Sequence, residues 1–117
     1  MVVIEKVLGR GKKGWYKNIF CDSSWELAFV LYHKDNNLDI QRCVEVRTYQ
    51  FEGQLKNYYP DFIVGNQLYE IKGYITPQSE AKQLYNPDIK LLAKEAMKQY
   101  LDYAVSQYGK NYTDLYE

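Results

Sequence analysis

The stretch YYPDFIVGNQLYEIKGY, residues 58–74, constrains the fold more than any other part of the 117-residue chain. Two short runs rich in β-branched and aromatic residues flank Gly65-Asn66, a pair suited to a two-residue hairpin loop because glycine supplies the positive φ that such loops need. Folding on that loop predicts Val64 opposite Gln67, Ile63 opposite Leu68, Phe62 opposite Tyr69 and Asp61 opposite Glu70. Strand alternation puts Lys72 on the same face as Glu70. Opposed side chains have Cβ atoms about 5 Å apart, and two carboxylates at that separation repel by about 3 kcal/mol at an effective dielectric near ~20. An offsetting cation is therefore expected. Lys72 could serve, making the group a surface ion-pair cluster, or a divalent ion could, since Mg²⁺ takes carboxylate oxygens and retains several waters. Tyr59, Ile63 and Leu68 share the face, which predicts a partly buried cleft with a need for the ion.

The rest of the chain surrounds this hairpin with recognisable elements. CDSSWELAFVLYHKDNN opens on cap-forming Ser and Asp and ends in a polar cluster, predicting a helix from about Ser24 to Lys34. Its apolar residues lie nearly all round the cylinder, so it is buried on more than one side. CVEVRTYQFEGQLKNYYPDFIV predicts strand, tight Glu52-Gly53 turn and strand, and QLYEIK a third strand. Pro60 lacks an N–H and suits a strand start or an unpaired edge. TPQSEAKQLYN places a proline at an N1-like position and predicts a short helix up to about Tyr85. IKLLA, residues 89–93, is the expected fourth strand. The stripe Met97, Tyr100, Leu101, Ala104, Val105 and Tyr108 predicts a core-packed helix that Gly109 ends.

The expected order is helix, three meandering strands, helix, strand, helix. That is an α/β chain of the mixed α+β kind, one sheet covered by helices. A chain of this length is expected to form a single domain, with a basic arm over 1–20, a core over 21–108 and a tail over 109–117.

Fifteen Lys and Arg balance fifteen Asp and Glu, which excludes a protein that coats nucleic acid by bulk charge. The balance hides a local excess: Lys6, Arg10, Lys12, Lys13 and Lys17 occur with no acid between them, interleaved with glycines, Trp15 and Tyr16. This segment reads either as a solvated terminus or as an arm that contacts phosphates and stacks Trp15 and Tyr16 on bases. Cys21 and Cys43 have no CxxC spacing and no histidine cluster nearby, so both read as buried thiols rather than zinc ligands or a disulfide. No run is apolar enough to cross a bilayer and no signal-peptide pattern opens the chain, so a cytoplasmic location without membrane association is expected.

Pro60-Asp61, followed after eight residues by Glu70-Ile71-Lys72, resembles the signature of the PD-(D/E)xK nuclease superfamily. The αβββαβ order matches its restriction-endonuclease-like core, here with an added C-terminal helix. SSWELAFVLY, YYPDFIV, YEIKGY and IKLLAKEAMKQYLDY look more closely like segments of its small phage- and intron-encoded, homing-type endonucleases, a resemblance running from about Tyr16 to the C-terminus. It implies an endonuclease that hydrolyses DNA phosphodiester bonds with Mg²⁺, for which Mn²⁺ substitutes. Asp61 and Glu70 would ligate the metal, with the Ile71 carbonyl as a further ligand. Lys72 would position the attacking water or stabilise charge on the phosphate.

Glu26 matches the additional acidic residue of the first helix in many members. It equally fits a capping box with Ser23, in which its carboxylate merely closes the helix terminus. His33, two turns along, reads as a helix-surface or core histidine rather than a substrate contact. Lys12, Lys13, Lys17, Arg42, Arg47 and Lys56 are candidates for DNA backbone contacts, which give affinity rather than sequence choice. A two-fold homodimer would suit double-strand cleavage, although no residue pattern marks an interface. Two other readings are a structure-selective nuclease for junctions or branches, and a non-catalytic nucleic-acid-binding module that keeps the fold.

Overall fold

A computed structural model describes residues 12–117 of the chain. The fold is mixed α+β, and the described residues divide into two units, 12–37 with 97–117 and 38–96. The portion of the basic arm that precedes Lys12 lies outside the described residues.

In the first unit, β1 (Gly14–Tyr16) and β2 (Ile19–Cys21) form an antiparallel hairpin with Tyr16 opposite Ile19. Lys17 and Asn18 turn the chain with φ of 46° and 68°, the left-handed pair that matches strand twist in a two-residue loop. Lys12 to Phe20, expected as an arm, is thus largely hairpin. Its first strand is tied to the C-terminal residues: Glu117 N–H donates to the Trp15 carbonyl at 2.8 Å and Tyr116 Oη to the Lys12 carbonyl at 2.9 Å. Gly14 leaves room for the Tyr116 ring, whose Cγ would stand 2.5 Å from a Cβ at that position.

Helix α1 (Ser24–Asp35) begins where expected, with the Glu26 N–H donating to the Ser23 Oγ at 3.2 Å. Leu27, Ala28, Phe29, Val30 and Leu31 are all fully buried, as the all-round apolar pattern requires. It meets α3 (Lys94–Tyr108) through the edge-on rings Phe29–Tyr100 and Tyr32–Tyr103, with centroids 4.9 and 5.3 Å apart. Met97 and Ala104 of the α3 stripe are fully buried, whereas Val105 and Tyr108 are exposed. The stripe therefore leaves the core in its last turns, where the Tyr103 and Tyr108 hydroxyls instead donate to Asp35 Oδ2. Gly109, at φ +88°, ends the helix with its N–H on the Val105 carbonyl, a left-handed stop that glycine adopts without steric penalty. A 3-10 turn over Tyr112–Leu115 follows, and the Tyr112 hydroxyl donates to the Ser24 carbonyl at 2.9 Å.

The second unit departs from the expected meander. β3 (Ile40–Arg42), β6 (Phe62–Val64), β7 (Gln67–Ile71) and β8 (Lys90–Leu92) form one four-stranded sheet in the order β3-β6-β7-β8. β4 (Arg47–Phe51) and β5 (Gln54–Tyr58) form a separate hairpin on the Glu52-Gly53 turn. The run read as one strand up to Val64 breaks at Tyr59-Pro60-Asp61, where proline cannot donate to a ladder. β3, unforeseen, takes the edge beside β6, antiparallel to it.

β8 runs parallel to β7, so the intervening segment must cross over, and α2 (Pro77–Tyr85) supplies the crossover. Thr76 caps α2 in a reciprocal box with Ser79, and Pro77 sits at its start. The helix is held to β4 by Gln78 Nε2 donating to the Tyr49 hydroxyl and Asn86 Nδ2 to the Thr48 carbonyl. Cys43, Leu68 and Ile89 form a buried cluster against which Tyr58 and Ile63 pack.

Candidate active site

The Gly65-Asn66 loop closes as predicted. Gly65 takes φ +60°, and the pairs are Val64↔Gln67, Ile63↔Leu68 and Phe62↔Tyr69. The fourth rung differs. The Asp61 N–H donates to the Tyr69 carbonyl at 3.0 Å, and Asp61 Oδ2 accepts the Ile71 N–H at 2.7 Å. The carboxylate thus turns onto the β7 backbone, in the role a strand carbonyl would fill, instead of standing squarely across from Glu70. On its other side the Asp61 carbonyl accepts the Cys43 N–H at 3.2 Å. Two hydrogen bonds to β7 and one to Cys43, just past β3, therefore fix this residue immediately before β6.

The two acids still sense each other. Asp61 is pushed up from its ordinary value of 3.8 to about 7, first because burial disfavours the charged carboxylate and second because the Glu70 charge is near. The Ile71 N–H bond and the positive charges of Arg42 and Lys72 act in the opposite direction without cancelling those two. This is the signature of like charges sharing a desolvated place. A proton retained on Asp61 is one way of relieving the repulsion, and a bound cation is another.

Glu70, only 7% exposed, finds a cation the sequence reading did not name. Lys82 of α2 brings its Nζ to 3.7 Å from Glu70 Oε2, with the lysine side chain 17% exposed. That ammonium also lies 4.6 Å from the Tyr58 ring centroid and 5.8 Å from that of Tyr49. Tyr58, Glu70, Ser79 and Lys82 line one small pocket. The Tyr58 hydroxyl is pushed up to about 12, by burial first and by the Glu70 charge next. No pattern within QSEAKQLY singles out Lys82. Its place follows only from α2 being the crossover between parallel strands, which lays one helix face over the strand that carries Glu70.

Lys72, half-buried, donates its backbone N–H to the Leu92 carbonyl at 2.9 Å, and its charge acts on Asp61. Ile71 enters the site through its amide, bonded to Asp61. Tyr59 is 62% exposed and does not help to close the cleft, whereas Leu68 is buried. Among the described residues no three His, Cys, Asp or Glu side chains group as a metal cage. The carboxylate donors of this unit's site are the pair Asp61 and Glu70.

Glu26 lies in the other unit, where its Oε1 accepts the Asp22 N–H at 2.9 Å. It does close the helix terminus as a capping carboxylate, one residue further back than the Ser23 amide expected. His33 is a core residue: its Nδ1 lies 2.7 Å from the Phe29 carbonyl, its ring stacks on Tyr100, and burial holds its pKa below the ordinary value.

The candidate DNA contacts divide. Lys12, Lys13 and Lys17 are exposed, as is Trp15, which packs edge-on to Phe20. Tyr16 is 7% exposed and so is withdrawn from base stacking. Arg47 is engaged by the protein itself, donating to both carboxylate oxygens of Asp88 at 2.9 and 2.8 Å, to Asn86 Oδ1 at 3.1 Å and to Glu45. Arg42 lies over the Phe62 ring at 4.9 Å, and Lys56 is half-buried on β5.

No protein-family model, curated protein or solved structure matches the chain. No helix among the described residues is long and apolar enough to cross a membrane.

Proposed function

We propose that the protein is a divalent-metal-dependent endonuclease that hydrolyses DNA phosphodiester bonds on a restriction-endonuclease-like core. The observation that carries this reading is the Asp61 carboxylate, fixed by the Ile71 N–H at 2.7 Å within reach of the charge of the buried Glu70, with burial and that charge both opposing its ionisation. Two carboxylates kept together at that cost are a donor set for a hard cation, and perturbed acids of this kind gather at functional sites. Asp61 and Glu70 would hold Mg²⁺, with Mn²⁺ able to replace it and the Ile71 carbonyl a further ligand. When bound, such an ion supplies Lewis acidity, lowering the pKa of water and offsetting phosphate charge.

The chain's own groups complete the chemistry. The Ile71 amide fixes the Asp61 rotamer. Lys72 provides a cation beside Asp61 that can stabilise negative charge developing on a phosphoryl oxygen. Lys12, Lys13 and Lys17 offer exposed positive charge for the DNA backbone.

One observation favours a second reading, a non-catalytic nucleic-acid-binding module. The Glu70–Lys82 pair already compensates one of the acids. Cleavage of plasmid and of a four-way junction with Mg²⁺ or Mn²⁺, repeated with chelator, Glu70→Ala and Lys72→Ala, decides between them. Metal-dependent cutting lost in both variants is expected. Cutting that survives both places the chemistry elsewhere, and DNA binding without cutting favours the module.

A further inference from the structure

The structure assigns a role to Lys82: we infer that it is a positioning residue of the carboxylate pair, a built-in cation that orients Glu70 and competes with a divalent ion for it. The inference rests on the metal-dependent reading above.

Three observations support it. First, Lys82 Nζ lies 3.7 Å from Glu70 Oε2, outside the range of a tight charge-assisted hydrogen bond, which is ~2.7–2.9 Å. The ammonium attracts Glu70 without locking it, the arrangement of a partner that can be exchanged. Second, the ammonium does not depend on Glu70 alone. The Tyr58 and Tyr49 ring faces at 4.6 and 5.8 Å form a half-cage, and aromatic faces attract cations through their quadrupole. If another cation took over the carboxylate, the ammonium would keep favourable neighbours. Third, Lys82 belongs to a rigid support. It sits in a helix capped by the Thr76–Ser79 box and tied to β4 near both ends, by Gln78 Nε2 donating to the Tyr49 hydroxyl and by Asn86, whose Nδ2 donates to the Thr48 carbonyl and to the Lys82 carbonyl itself.

The alternative for Lys82 is a purely structural ion pair. The two roles predict opposite responses to divalent ions. A structural partner, once removed, leaves Glu70 less well held and ion binding weaker. A competitor, once removed, no longer offsets the Glu70 charge that draws the ion, and binding tightens.

The test is calorimetric titration of Mg²⁺ into the intact chain and into Lys82→Gln and Lys82→Arg. It is run at one fixed pH and ionic strength for all three proteins, with melting curves confirming that each variant folds. Lys82→Gln should bind Mg²⁺ roughly tenfold more tightly, a change of about 1.4 kcal/mol, and Lys82→Arg should return the affinity toward that of the native chain. In the cleavage assay Lys82→Gln should saturate at lower Mg²⁺ yet turn over more slowly, because Glu70 has lost its orienting partner. Equal or weaker Mg²⁺ binding by folded Lys82→Gln, beside clear binding by the native chain, overturns the role of Lys82 and leaves the nuclease reading standing. No Mg²⁺ binding by either protein overturns both. Should Lys82→Gln fail to fold, Lys82→Arg carries the test: it keeps the charge, and an affinity shifted more than about tenfold from native would contradict simple competition.

Discussion

Replacing Asp61 with asparagine separates the charge of this side chain from its shape. The asparagine Oδ1 can still accept the Ile71 N–H that Asp61 Oδ2 accepts at 2.7 Å, so the end of β6 should keep its geometry. What is lost is a carboxyl whose folded-state value is about 7 rather than 3.8. Between those two pH values the native protein binds the proton more tightly than the unfolded chain does, so stability falls as pH rises through the interval. At 1.36 kcal/mol per pH unit, the decline attributable to this group is about 4 kcal/mol at most. The Asp61→Asn variant carries no ionisable group there and escapes it.

Urea unfolding of the native chain and Asp61→Asn at pH 5 and pH 8 measures the effect. The variant's lead should widen by about 2–3 kcal/mol between them, since about two of the roughly three pH units of the interval lie above pH 5. Millimolar Mg²⁺ should then narrow the gap by stabilising the native chain alone, since a ligand that binds only the folded state adds RT ln(1 + [L]/Kd). A stability difference that stays constant across the two pH values would refute the argument that Asp61 is ionised at a cost, and with it the main physical reason for expecting a cation here.

Other expectations address the scaffold. Gly14→Ala should destabilise by about 1–3 kcal/mol in thermal melts, because the new Cβ would meet the Tyr116 ring at 2.5 Å and overpacking costs that much. Asn86→Ala should cost about 2–3 kcal/mol in urea unfolding, since the buried amide bonds Thr48, Lys82 and Arg47 and truncation leaves their groups without it. Thr76→Ala removes the α2 cap and should cost about 1 kcal/mol by the same measurement.

What could be read from the residues was whatever local pattern dictates. α1 declared itself through Ser23 and a dense apolar run, α2 through Pro77, α3 through its spacing and Gly109, and β7 through alternation after Gly65-Asn66. The misreadings have non-local causes. β3 is three residues whose only strong argument is a partner 20–24 positions away. β1 and β2 turn on Lys17-Asn18, which lacks the glycine that usually marks such a loop, so they read as a basic arm. At the site, Asp61, Glu70 and Lys72 were legible because strand periodicity brings them near one another. Lys82 was not, because its position depends on where a crossover helix lands. The bend of the Asp61 carboxylate toward the Ile71 amide was hidden too, since it arises where Pro60 ends regular pairing.

The parallel pairing of β7 and β8 has a consequence for how this molecule could change over time. Because α2 is the bridge between those strands, Asp61, Glu70, Lys72 and Lys82 all fall on one uninterrupted stretch, residues 61–82. Lengthening the tip of the β4–β5 hairpin at Glu52-Gly53 inserts nothing between them. Peripheral sequence can therefore be grafted, trimmed or diversified at that tip while the charged quartet is inherited as a single cassette.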